Sequence, residues 1–334
     1  MNRIAVLTGV LAVIIAGSMR TAADEILIVV GAQGEETYGS EFREWQRRWE
    51  SIAETADFEV AVIGGESESG EPSDRERLAS EVGKRLDGET PLWLILVGHG
   101  TWDGISARFN LVGPDLSARE LAKWIRPVRR PLVIVNNSSS SGPFIDRLSG
   151  PNRVIVTATK SGSEQNYARF GGFFANAIGE LASDLDHDDA VSVREAFLKA
   201  ATETGLFYEQ EGRIATEHAM LDDNGDKKGT RVELLRGTKR LQGAGSIDGA
   251  LAGRIVIPVG SDAPRLNRAQ SERRDELEAQ LREVRRKAGD EPSDLLRSQV
   301  LPILRQLAQI YRDAESKEAE GNDAESSDAE EYQE

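Results

Sequence analysis

Cysteine is missing from this 334-residue sequence, and only three histidines are present. The absence of cysteine excludes disulfides, thiolate metal sites and a cysteine nucleophile. No basic stripe is interleaved with aromatic residues, and the formal net charge is −16. A chain this acidic repels phosphate groups, so we expect no nucleic-acid partner and no attraction to anionic lipid.

Long apolar runs are also scarce, and the run at the N-terminus is short. Arg3 supplies a positive charge, Ile4–Gly17 is apolar or small, and Thr21–Ala23 offers small residues before Asp24. About 14 apolar residues fall short of the ~20 that a membrane-spanning helix needs. Residues 1–23 are therefore predicted to be a cleaved signal peptide. We expect an exported protein, periplasmic or secreted, that leaves the membrane after cleavage.

Beyond the signal, short apolar runs alternate with amphipathic stretches, which predicts a mostly parallel sheet flanked by helices. Strands are predicted at Ile26–Val30, Phe58–Ile63, Leu92–Val97, Leu132–Val135 and Val154–Thr157. Helices are predicted at Glu41–Ala56, Ser73–Leu86, Ala118–Ile125, Pro143–Leu148, Gly172–Leu181 and Val191–Thr204. Together these elements assign an α/β domain to residues 24–243.

The character of the chain changes past Gly243. Residues 244–314 are predicted to contain a linker, a short strand at Ile255–Val259, and two helices joined by a Gly/Pro turn as an antiparallel hairpin. The leucine faces of this hairpin need a partner, either the main domain or a second copy of the chain. Residues 315–334 are acidic and nearly devoid of apolar side chains, which predicts a disordered tail.

Two polar loops follow neighbouring strands of the predicted sheet. His99 lies between two glycines after one strand, and Asn136–Gly142 contains four serines after the next. The carboxyl ends of parallel strands meet at one edge of a sheet, so the imidazole and a serine hydroxyl could come within hydrogen-bonding reach. The N–H of Gly100 could serve an oxyanion. Taken separately, a histidine after a strand and a run of serines are common structural features.

Together these loops resemble those of the caspase-like peptidase superfamily, and within it the legumain-like (C13-type) branch with its bacterial members. His99 and Gly100 are similar to the His-Gly that ends one strand of that family. Ser138–Gly142 is similar to the family's Ala-Cys-x-Ser-Gly turn, with Ser139 where the catalytic cysteine would stand. The resemblance covers 26–233 and implies a caspase-like three-layer sandwich with a proteolytic ancestry.

The same resemblance assigns a role to Glu164. The segment Ser163–Tyr167 is similar to a legumain segment whose glutamate helps to line the substrate pocket. This implies that Glu164 would favour a polar or basic side chain of a bound peptide.

The departures from the family pattern concern catalysis. The cysteine is replaced, and Gly31–Gly39 lacks the arginine that legumains place after the first strand. A serine hydroxyl is far less acidic than a thiol, so serine enzymes add a base oriented by a third group. No carboxylate in the sequence is assigned to orient His99. We therefore predict a catalytically inactive homologue that binds protein or peptide. The alternative is a serine-type peptidase or amidohydrolase in which Ser139 attacks, His99 takes its proton and Gly100 stabilises the oxyanion.

Two acidic loops match the twelve-residue spacing of a calcium loop. Each offers oxygen-bearing side chains at positions 1, 3, 5, 9 and 12, where positions 9 and 12 of the second loop are Thr230 and Glu233, and neither has glycine at position 6. The predicted ligands are Asp184, Asp186, Asp188, Ser192 and Glu195 in the first loop, and Asp222, Asn224 and Asp226 in the second. Calcium would have a structural role, and no cofactor is required for activity. The alternative is a pair of solvated acidic turns before helices. A third interpretation of the protein is thus a calcium-stabilised interaction module.

Overall fold

The apolar runs of the sequence form a six-stranded sheet in the computed structural model of the chain. The strands of this sheet, in spatial order, are β10 (Met220–Asp222), β8 (Arg153–Thr157), β7 (Leu132–Asn136), β3 (Leu92–Val97), β1 (Glu25–Val30) and β2 (Glu59–Gly64). Every neighbouring pair is parallel except β10 and β8, which are antiparallel. The five strands predicted from the sequence are therefore all present, with ends shifted by at most one residue.

The structure describes residues 24–65, 70–236, 248–260, 266, 268–288 and 298–314. The predicted signal peptide at 1–23 and the predicted acidic tail at 315–334 lie outside this part of the chain. Within the described ranges, no helix combines the length and the apolar character that a membrane crossing requires.

Helices cover both faces of the sheet. They are α1 (Glu36–Ala56), α2 (Asp74–Lys84), α3 (Ala118–Ile125), α4 (Pro143–Leu148), α5 (Phe170–Ile178), α6 (Val193–Gln210), α7 (Val232–Leu235), α8 (Arg268–Ala288) and α9 (298–314). Capping boxes begin three of them, in which a serine side chain and a glutamate three residues later satisfy the first free N–H groups. The capping serines are Ser73, Ser117 and Ser192.

The strand residues alternate between two apolar clusters, which makes a three-layer α/β sandwich. Ile26 and Ile28 of β1 join the cluster formed with α1, α5 and α6. Leu27 and Val29 join the cluster formed with α2, α3 and α4. Because β1, β3, β7 and β8 are buried on both faces, their sequences are continuously apolar rather than alternating.

Most of the short strands and several helix ends differ from the prediction. The strands β4 (Gly100–Trp102), β5 (Ala107–Phe109) and β6 (Leu116–Ser117), which were not predicted, form a small antiparallel sheet. The unpredicted β9 (Ala190–Ser192) pairs with β11 (Val256–Pro258), the short strand predicted at Ile255–Val259. Two or three residues are too few to show an alternating pattern. Helix α1 begins five residues before its predicted start, and α6 ends six residues after its predicted end at Thr204. Gly39 in the first turns of α1 makes room for the Gln33 side chain, because a Cβ atom there would lie 2.1 Å from its Oε1 atom.

The predicted helical hairpin is present and packs antiparallel. Gln270 of α8 donates to the carbonyl of Ile310 in α9 at 3.5 Å, and Arg273 donates to Gln306 at 2.7 Å. The hairpin also contacts the main domain, where the hydroxyl of Tyr311 donates to Asp188 at 3.2 Å. A contact with a second copy of the chain stays a prediction.

Candidate functional site

The loops after β3 and β7 lie side by side, as the sequence predicts. The two strands pair in parallel up to Leu96 and Asn136, so the polar loops leave the sheet at the same edge. A Cβ atom at Gly100 would lie 2.2 Å from the carbonyl oxygen of Ser139 and 2.7 Å from the Ser138 hydroxyl. Glycine is required here because any side chain would separate the loop of His99 from the loop of Ser139.

A backbone carbonyl orients His99. Its Nε2 atom lies 3.2 Å from the carbonyl oxygen of Gln33, in the loop after β1. A carbonyl can only accept a hydrogen bond, so we assign the proton of the neutral ring to Nε2, which leaves Nδ1 as an acceptor. Burial lowers the pKa of His99, and the bond to Gln33 acts in the opposite direction. The ring is therefore neutral at pH 7 and able to accept a proton at Nδ1.

Aromatic rings fix the position of the same imidazole. We call Tyr38, Phe42 and Tyr167 the aromatic cage; their ring centroids lie 5.0, 5.1 and 5.9 Å from that of His99. Tyr167 is itself held by a 2.6 Å hydrogen bond from its hydroxyl to Glu41. The cage and the Gln33 carbonyl together restrain the ring without any carboxylate.

Asp103, the carboxylate nearest to His99 in sequence, has other partners. It accepts N–H groups from Ile105 at 2.9 Å and Ser106 at 2.8 Å, and it pairs with Arg108 at 3.0 Å. These contacts close the turn between β4 and β5. Asp103 therefore shapes its own turn.

The serine run is a tightly bonded turn rather than a solvated loop. Ser138 donates to the side chain of Asn136 at 2.7 Å, and Ser140 donates to the carbonyl of Gly162 at 2.9 Å. Ser140 has φ of 54°, in the left-handed region that a non-glycine residue occupies only when its surroundings require it. Ser141 lies 3.2 Å from the hydroxyl of Thr159. Three of the four serines are therefore structural.

Ser139 differs from its neighbours. The residue is 4% exposed, and none of the hydrogen bonds described for the turn joins its hydroxyl to His99. The structure thus brings the two predicted residues onto adjacent loops without forming a dyad between them.

Glu164 connects the turn to a residue that sequence analysis did not identify. Its carbonyl accepts the N–H of Ser140 at 2.8 Å. Its carboxylate accepts the N–H groups of Lys160 and His218 at 2.9 and 3.2 Å, and lies 2.5 Å from Nδ1 of His218. The Lys160 ammonium is 3.3 Å away. The negative charge of Glu164 is therefore matched by groups of the protein itself.

The first acidic turn, residues 184–189, brings three of its predicted ligands together. One carboxylate oxygen each from Asp184, Asp186 and Asp188 lies within 4.8 Å of the others. Burial, followed by repulsion from Asp188, Glu195, Asp184 and Glu278, raises the pKa of Asp186 to about 7. The remaining predicted ligands have other partners, because Ser192 and Glu195 form the capping box of α6 and Glu195 also accepts the N–H of Leu185 at 2.9 Å.

The second acidic turn, residues 222–227, follows β10. Asp222 is fully buried, whereas Asn224 and Asp226 are exposed. This turn lies at the end of the sheet away from His99, since a Cβ atom at Gly225 would lie 3.4 Å from Gly150, which precedes β8.

Comparisons with known proteins concern the fold. No protein-family model and no curated sequence matches the chain. The Drosophila initiator caspase Dronc is similar over 64% of this chain and 84% of its own, with 12% identity and a TM-score of 0.44. Caspase-1 from Spodoptera frugiperda is similar over 61% and 88%, with 8% identity and a TM-score of 0.38. A Geobacter sulfurreducens protein is similar over 54% and 89%, with 13% identity and a TM-score of 0.37.

Similarities this low carry no activity from those proteins to this chain. The fold is therefore described from the strand order, the strand directions, the two helical layers and the C-terminal helices of this chain. The fold class is a three-layer α/β sandwich with a mostly parallel sheet.

Proposed function

We propose that the protein is an exported, catalytically inactive homologue of caspase- and legumain-like peptidases that binds a peptide or protein at the carboxyl edge of its sheet. The observation that carries this proposal is the state of Ser139, which is 4% exposed and has no hydrogen bond to His99 among the described contacts. A serine without an engaged base is a poor nucleophile at neutral pH.

The loss of rate that follows when a catalytic triad is incomplete supports the proposal of inactivity. Removing one member of a serine triad lowers the rate by about 10⁴-fold or more. In this chain serine stands at the position that cysteine has in the family pattern, and export is expected from residues 1–23. The legumain-like ancestry, the replacement of the nucleophile and the export route are all parts of the proposal.

One observation favours the alternative of a serine hydrolase. The carbonyl of Gln33 holds Nε2 of His99 and leaves Nδ1 free to accept the Ser139 proton. In that mechanism the Ser139 oxygen attacks an amide carbonyl, the N–H of Gly100 stabilises the oxyanion, and His99 returns the proton to the leaving amine. The Ser139 hydroxyl would have to form a hydrogen bond with His99 to engage the base.

Fluorophosphonate labelling of the full chain distinguishes the inactive homologue from the serine hydrolase. We expect no covalent adduct at Ser139 by mass spectrometry, with wild type and Ser139→Ala giving the same result. An adduct on Ser139 that is lost in His99→Ala would overturn the proposal of inactivity and establish the hydrolase.

A single introduced thiol tests whether both residues face one cleft. Because the chain has no cysteine, Ser139→Cys carries the only thiol, and iodoacetamide reports on its reactivity. A histidine acceptor beside the thiol raises its thiolate fraction, so we expect His99→Ala to slow alkylation about tenfold at pH 7. Ser163→Cys, at an exposed position of the neighbouring loop, is the matched control and should be insensitive to His99→Ala. Equal alkylation rates for Ser139→Cys with and without His99 would contradict the hypothesis that the two residues face one cleft.

A further inference from the structure

The second acidic turn contains a buried carboxylate oxygen that the protein leaves unsatisfied. Asp222, the last residue of β10, is 0% exposed. Its Oδ1 atom accepts the N–H of Lys227 at 3.1 Å, whereas Oδ2 is buried and has no hydrogen-bond partner among the described residues. A buried ionised oxygen without a partner is strongly unfavourable, so this atom requires a ligand or a proton.

The turn carries further side-chain oxygens at alternate residues after Asp222. The side chain of Asn224 accepts the N–H of Asp226 at 2.8 Å, and Asp226 accepts the N–H of Lys228 at 2.8 Å. Each bond uses one lone pair of an oxygen and fixes the direction of the others. The turn is wound tightly by positive φ values of 79° at Gly225 and 68° at Lys227. Lysine thus occupies the left-handed position where a calcium loop usually has glycine.

Further negative charge faces Asp222 from outside the turn. Asp248 is 6% exposed and accepts the N–H groups of Asp223 and Asn224 at 3.0 and 3.2 Å. Asp223 and Asp226 also repel the charge of Asp222. None of the ion pairs described for the chain involves these four aspartates, so no described cation of the protein neutralises the group.

We propose that the second acidic turn binds a divalent cation of the calcium class, with Asp222 Oδ2 as its buried ligand and Asn224 and Asp226 as further ligands. The donors are all oxygens and include no histidine or cysteine, which favours calcium over zinc. This site is independent of the proposed function.

The cation would strengthen the connection between the sheet and the segment that leads to β11. Asp223 accepts the N–H groups of Gly249, Leu251 and Ala252 at 2.7–2.8 Å, so the turn already holds that segment. The turn lies at the amino end of β8, and the loops of His99 and Ser139 lie at the carboxyl end. The cation is therefore structural and remote from the candidate site.

The experiment is calcium binding by the full chain, freed of metal with EDTA and dialysed. Isothermal titration with CaCl₂ and chemical unfolding with and without 10 mM CaCl₂ are compared with the same measurements in MgCl₂. For a site with Kd of ~10⁻⁴–10⁻³ M, calcium should raise the folding equilibrium constant about 10–100-fold. We expect Asp226→Asn, an exposed substitution that should leave folding intact, to weaken binding at least tenfold, and Asp222→Asn to abolish it.

Asp186→Asn in the first acidic turn is the matched control and should retain the calcium effect. No heat of binding together with unfolding that is indifferent to calcium would overturn the proposal. So would a calcium effect that persists in Asp226→Asn and disappears in Asp186→Asn, because the ion would then belong to the first turn.

Discussion

The two acidic turns share left-handed residues at the same two positions and satisfy their carboxylates differently. The fourth and sixth residues have positive φ in both, at His187 and Asp189 in the first turn and at Gly225 and Lys227 in the second. Only one of these four residues is glycine, so the left-handed conformation is imposed by the contacts of each turn rather than by residue preference.

The difference lies in the leading aspartate. Both oxygens of Asp184 accept backbone N–H groups, from His187 at 2.6 Å and from Asp189 at 3.0 Å. Asp222 accepts one N–H at its Oδ1 and keeps Oδ2 buried without a partner. Spacing alone therefore does not identify a cation site. The deciding property is how many oxygens the main chain has already used.

The largest effect is expected from removing the anchor of the second turn. Asp223 is 8% exposed and accepts three N–H groups of the segment 249–252. Asp223→Ala leaves those donors buried and unsatisfied, so we expect a loss of about 3–5 kcal/mol in the free energy of unfolding by urea denaturation. Asp87→Asn, an exposed acidic position, is the control. A loss below about 1 kcal/mol would show that water replaces the carboxylate.

A smaller effect is expected from opening the first turn at its helical end. Ser192 donates to Glu195 at 2.7 Å and accepts the N–H of Glu195 at 3.2 Å. Ser192→Ala removes the cap of α6 and should cost about 1–2 kcal/mol of stability. Ser192→Thr keeps the hydroxyl and should recover most of it. Equal stability of the alanine and threonine variants would mean that the capping box does not stabilise this turn.

The smallest effect concerns the charge of the first turn. The pKa of Asp186 is raised to about 7, above its ordinary value of 3.8. The folded state therefore binds this proton more tightly than the unfolded state, and the destabilisation grows as the pH rises from about 4 to about 7. Although burial of the carboxylate is the main cause of this shift, part of the Asp186 side chain reaches solvent, and screening there limits the effect to about 1 kcal/mol.

In EDTA, Asp186→Asn should raise the melting temperature by about 2–4 °C at pH 8, with the difference vanishing toward pH 4. Asp87→Asn should show no such pH dependence. A difference between Asp186→Asn and wild type that is constant across pH would contradict the assigned charge effect.

The sheet and the meeting of the two polar loops could be predicted from the sequence. Strands buried on both faces, such as Leu92–Val97, are continuous apolar runs, and their parallel pairing brings His99 and Ser139 to one edge. The capping box of α3 is equally predictable, because Ser117 and Glu120 are three residues apart in the sequence.

Other parts of the site had no signal in the sequence. The group that orients His99 is the main-chain carbonyl of Gln33, and every residue has one. The contact between Glu164 and His218 joins residues 54 positions apart, which only the folded chain brings together. Asp248 reaches the second acidic turn in the same way, so the twelve-residue frame pointed to Glu233 instead.

The hydrogen bond between His99 and the carbonyl of Gln33 has a consequence for the evolution of this fold. A carbonyl belongs to the polypeptide itself, so ordinary codon changes at position 33 leave the acceptor in place. A single substitution can remove the nucleophile. A substitution at position 33, by contrast, keeps the main-chain carbonyl that orients His99. A protein with this architecture can therefore lose its nucleophile and still keep an oriented proton acceptor.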